Sequence, residues 1–137
     1  MYWQTNPFFL SLLLSAVVSG TLAAYAIRHR RARGAPGLAA VGICAAVWSL
    51  AFALYGASTV VTVRWWLIMV IHLAAGAVPV AWLVVVMVHT GRETWLRSGG
   101  FRLVVAAAAV PLVLAITNGV HGWFFREFGV TAPLMSW

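Results

Sequence analysis

Apolar residues in this chain gather into four long runs separated by short polar junctions: Phe8 to Ile27, Leu38 to Ala57, Trp65 to Val88, and about Leu103 to Thr117. A helix needs roughly 20 such residues to cross a ~30 Å hydrocarbon layer, and the runs have or approach that length. They lack the period-two alternation of a lipid-facing barrel strand and are rich in Ala and Leu, so helices satisfy their backbone groups in lipid. The pattern predicts an all-α integral membrane protein, a four-transmembrane-helix bundle forming a single membrane domain over residues 1–137.

The junctions differ in charge, and that difference predicts an orientation. Arg28, Arg30, Arg31 and Arg33 follow the first run, and Arg92, Arg97 and Arg102 lie between the third and fourth. Only Arg64 and Arg126 fall on the opposite side. Basic residues favour the cytoplasmic side, so the N-terminus is expected outside, the C-terminus outside, and the chain multi-pass in the cell's inner (cytoplasmic) membrane. The first run is not a secretory signal, because its positive charge follows the apolar stretch instead of preceding it. Trp3, Trp65, Trp66, Trp95, Trp123 and Trp137 lie near run ends, where the amphipathic indole suits the headgroup zone.

Composition agrees with a lipid solvent. With 64% hydrophobic and 8% charged residues, the chain has too little polar surface to cover itself in water. The net charge of +7 comes from arginines flanking apolar runs, with no extended basic face, so nucleic acid is not expected as a partner. Membrane lipid and other membrane subunits are.

Small residues mark where helices meet in lipid, since close backbone approach replaces the burial of apolar area as the source of association. In the second run Ala39, Gly42, Ala46, Ser49, Ala53 and Gly56 follow three- and four-residue steps and share one face; Ser11, Ser15 and Ser19 do the same in the first. Both stripes are expected to be helix seams. In the third run His72, Gly76, Pro79 and Leu83 continue such stepping, which turns the histidine toward the bundle interior beside a glycine gap and a proline kink.

His72 is the one candidate for cofactor binding. An intramembrane imidazole has three readings: a hydrogen bond to a neighbouring helix, an axial ligand to haem or to the magnesium of a chlorophyll-type pigment, or a proton-linked sensor. The sequence requires no cofactor. Cys44 is a lone thiol without metal-site spacing, and no metal site is expected. Glu93 and Glu127 are the only carboxylates and fall on opposite sides of the membrane, so they cannot work as an acid/base pair. No nucleophile with an adjacent base and no phosphate-binding loop is present, and catalysis is not expected.

The inner end of the third run reads Pro79-Val-Ala-Trp82-Leu and then His89-Thr90-Gly91-Arg92, and the fourth run is followed by Thr117-Asn118-Gly-Val-His121. This ordered set, with the Tyr-Trp-Gln-Thr-Asn-Pro opening and Trp48, resembles the N-terminal seven-transmembrane sensor region of bacterial and archaeal histidine kinases, as its first four helices. The resemblance implies a non-catalytic input module whose helices shift in response to a cue. It also marks departures: Tyr55-Gly56 stands where an acidic residue is common, Met69 and Ile71 replace polar positions, and His72 replaces an aromatic. Two functions follow: a sensory module acting through helix contacts with a partner, or a small accessory subunit of a photosynthetic or respiratory membrane complex that contacts pigment or haem.

Overall fold

A computed structural model describes residues 7–118 and Gly122, and among these every regular element is helical. Four helices, α1 (Pro7–Arg28), α2 (Ala35–Ala57), α3 (Val61–His89) and α4 (Gly99–Ile116), are each long and apolar enough to cross a membrane. A 3-10 turn, Glu93–Arg97, precedes α4.

The helices extend beyond the apolar runs because polar residues and proline are tolerated in a first turn. α2 starts at Ala35, with Pro36 in a position where no intrahelical N–H bond is lost. Residues 35–37 therefore form the first turn of the helix, and Gly34, at φ 82°, stands just outside it in the left-handed region. α3 begins at Val61, ahead of Trp65, and the Arg64 guanidinium lies 4.5 Å over the Tyr55 ring at the end of α2. Its 29 residues span about 43 Å at ~1.5 Å per residue, so it overreaches the hydrocarbon layer or tilts within it. α3 and α4 run continuously through Pro79 and Pro111.

The four helices do not close into a bundle. Each packs on its neighbour in sequence, α1 on α2, α2 on α3 and α3 on α4, with no other helix pair in contact among the described residues. The expected bundle is instead an open antiparallel row. Consecutive short connections favour such a meander, and the outer sides of α1 and α4 carry exposed apolar residues such as Leu14, Val18, Leu103 and Val110.

Two seams hold the first three helices. Between α1 and α2, Ala39, Gly42, Ser49 and Ala53 are buried against a face containing Ala23 and Ala26. A Cβ added at Gly42 would lie 2.9 Å from the Ser19 carbonyl oxygen and 3.0 Å from the Ala23 Cβ, so the backbones touch there. The Ser15 and Ser49 hydroxyls share a hydrogen bond of 3.1 Å, joining the two small-residue stripes across the interface. Ser11 instead donates to the Phe8 carbonyl of its own helix. Ala46 is half-buried. The stripe does not run on to Gly56, which is exposed with open space where a side chain would go. At ~3.6 residues per turn, Ala57 falls about five full turns after Ala39, and Ala57 is the buried residue.

The second seam joins α2 to α3. A Cβ at Gly37 would meet Val85 Cγ2 at 2.8 Å, and in that antiparallel register buried Ala51 comes level with buried Ile71. α4 is held by much less: of its residues only Ala115 is buried. Its close approach is at Gly76 of α3, where a Cβ would sit 2.6 Å from the Ala108 carbonyl oxygen.

Candidate functional site

α3 lies between α2 and α4, which do not touch, so the row leaves a groove over α3. Its cavity volume is about 420 Å³. Ala40 and Cys44 of α2, His72 and Gly76 of α3, and Ala108 and Leu112 of α4 contribute to its walls. The lining is overwhelmingly apolar, with the imidazole and thiol as its polar exceptions. Small residues make the space: Ala40, Gly76 and Ala108 project too little to fill the gap between helices whose backbones are set by the seams on either side.

His72 is partly buried and its Nδ1 lies 2.8 Å from the Ile68 carbonyl oxygen one turn earlier. A carbonyl only accepts, so Nδ1 donates in this bond. This bond orients the ring against its own helix. Of the residues stepping from His72, Gly76 shares the cavity, Leu83 is half-buried and Pro79 is exposed. Pro79 is thus outside the contact face on which its spacing placed it; Ile71, Ala74 and Ala81 occupy the buried positions of α3. Among the described residues, no group of three or more His, Cys, Asp or Glu side chains gathers to hold a metal ion.

The Thr90-Gly91-Arg92 segment ends α3. Arg92 N–H donates to the Met87 carbonyl at 2.9 Å and Gly91 N–H to that of Val88 at 3.3 Å, with Gly91 at φ 69°. These two bonds are a Schellman cap, which satisfies carbonyls that the helix end leaves over and needs a left-handed residue that glycine supplies. The Thr90 hydroxyl donates to the Val86 carbonyl at 2.9 Å. Thr117 closes α4 in a similar way, its hydroxyl donating to the Val113 carbonyl at 2.7 Å, and Asn118 is buried, its carbonyl accepting from Gly122 N–H at 2.8 Å. His121 lies outside the described residues, as do Trp3, Trp123 and Trp137. Trp66 is exposed, and Trp65 and Trp95 are half-exposed.

Sequence reasoning missed the second face of α2. Gly37, Ala40, Cys44 and Ala51 are spaced by three, four and seven residues, the same stepping as the first stripe but turned to the other side of the helix. That spacing was available to find it. The two stripes together explain why α2 is the helix with the most buried residues and why it sits between two partners.

Four apolar helices of membrane-spanning length among the described residues, with two glycine-lined seams and an apolar groove, define a polytopic membrane protein. Its sequence matches the family described as the N-terminal 7TM region of histidine kinase over residues 11–135, and the chain belongs to that family. The four helices correspond to part of a seven-span region. That region is a sensory membrane segment and not a catalytic domain. No curated protein and no solved structure matches the chain.

Proposed function

We propose that this chain is a non-catalytic membrane input module that acts through helix contacts with a partner. The observation that carries the reading is the open row: α4 is attached to α3 through a narrow contact at Gly76 and presents apolar residues on its other sides, so a partner helix can dock there and shift it. The groove beside it supplies a place where an apolar cue or a neighbouring helix alters the α3–α4 spacing. Family membership supports a histidine kinase as the downstream element. The seven-to-two division of arginines supports an inner-membrane orientation with both termini outside.

A photoreactive side chain at Leu103 or Val110 in native membranes tests this. Crosslinks to a kinase polypeptide are expected; crosslinks only to lipid at both positions would refute it. The oriented ring of His72 in an apolar cavity favours one second reading, an accessory subunit in which His72 meets haem or pigment, since metal-binding histidines are commonly oriented through their other nitrogen. Pigment or haem absorption bands in the isolated protein that disappear in His72→Phe would select that reading.

A further inference from the structure

The two arginine-bearing connections, about sixty residues apart in the sequence, meet at one end of the helix row. The contact that joins them is direct: Gly34, in the α1–α2 connection, lies against the His89 ring at the end of α3, where an added Cβ would come within 2.5 Å of Cε1. Arg33 adjoins Gly34, and Arg92 follows His89 by three residues. Arg33 and Arg92 therefore flank one contact, with Arg30 and Arg31 in the same connection as Arg33 and Arg97 in the same connection as Arg92, and all five are exposed. Glu93 is the one carboxylate among the described residues. Arg28 stands in the last turn of α1 and Arg97 in the last turn of the 3-10 helix, where each faces a negative helix end, while Arg30, Arg31, Arg33 and Arg92 lie in the connections themselves.

We infer that the α1–α2 and α3–α4 connections form a single binding surface for an anionic phospholipid headgroup. The site borders four apolar helices of membrane-spanning length, so phosphodiester groups of the bilayer stand at its level at high local concentration. Guanidinium groups suit them because the planar fork pairs with two phosphate oxygens at once. Trp95 sits within the same connection, its ring 6.0 Å from that of Phe101, which gives the surface an amphipathic edge of the kind that settles among headgroups. Because Gly34 and His89 hold the two connections together, both clusters act on one lipid.

The test uses the full chain in nanodiscs of equimolar phosphatidylglycerol and phosphatidylcholine, extracted into mild detergent, with retained lipids identified by native mass spectrometry. Each basic residue near an anionic headgroup contributes on the order of a fivefold preference. The wild-type protein is expected to retain phosphatidylglycerol at least about tenfold over phosphatidylcholine. Arg30→Gln/Arg31→Gln/Arg33→Gln and Arg92→Gln/Arg97→Gln should each remove most of that preference, and combining them should add little, as one shared site requires. Arg64→Gln, at the opposite end, should leave it unchanged, and lysine at the five positions should retain only part of it, because the charge stays while the bidentate fork is lost. Equal retention of the two lipids by the wild type, losses that multiply as for two separate patches, or displacement of the lipid by millimolar inorganic phosphate would each overturn the proposal.

Discussion

Replacing Gly42 by alanine adds one methyl group at the point where α1 and α2 touch. The new Cβ would stand 2.9 Å from the Ser19 oxygen, 3.0 Å from the Ala23 Cβ and 3.1 Å from the Ala23 nitrogen. Ordinary carbon contacts lie at about 3.5–4.0 Å, so the helices must part by roughly 0.5–1 Å. None of the three neighbours is the end of a flexible side chain, which leaves helix movement as the response. A gap of that size forfeits about a quarter to a half of each contact along the seam, and overpacking of this kind costs about 1–3 kcal/mol. Against it stands the gain from removing a mid-helix glycine, about 0.5–1 kcal/mol. The net expectation is a loss of about 1 kcal/mol, within a span of about 0–2.5 kcal/mol. Gly56→Ala is the matched control, since that position has nothing within 4 Å of an added Cβ and should be neutral or stabilised by up to about 1 kcal/mol. Reversible unfolding in mixed micelles of increasing sodium dodecyl sulfate, followed by circular dichroism, reads both variants on one scale. Equal shifts for the two substitutions, or a more stable Gly42→Ala, would refute the close backbone contact.

Other substitutions test other parts of the same structure. Gly37→Ala places a Cβ 2.8 Å from Val85 Cγ2 and 3.2 Å from its backbone nitrogen, and should lower stability in the same assay by about 1–2 kcal/mol. Gly91→Val forces a branched side chain into a left-handed position and should cost about 1–2 kcal/mol, fraying the end of α3, which hydrogen exchange at Arg92 and Gly91 would detect. Ser49→Ala and Ser15→Ala should each cost about 0.6 kcal/mol, and the double variant should cost no more than the larger single one, because both remove the same interhelical bond. Gly76→Leu should fill the groove and push α4 away at Ala108; a spin-label pair on α3 and α4 should report a longer distance, and an unchanged distance would contradict the contact.

The spans were legible in the sequence because crossing lipid imposes a local demand: each helix must satisfy its own backbone and carry its own apolar surface, whatever its neighbours do. Run length and the arginine-rich junctions are properties of a few contiguous residues. The α1–α2 seam was legible for a related reason, since small residues at helical spacing define a face. Where the spacing drifted from the true helical repeat, the reading lost the face, and the exposed Gly56 was grouped with residues that bury while Ala57 was left out. Which helices meet was a different matter. A small-residue face says that some helix docks there, and not which one, because van der Waals packing in lipid carries no partner label. Only the tertiary structure decided that the helices form an open row, that the second small-residue face of α2 meets α3, that Pro79 lies outside while His72 borders a groove, and that the two arginine-bearing connections meet at Gly34 and His89. Those outcomes depend on the rotation and register of one helix against another, and both are settled by contacts between residues far apart in the chain.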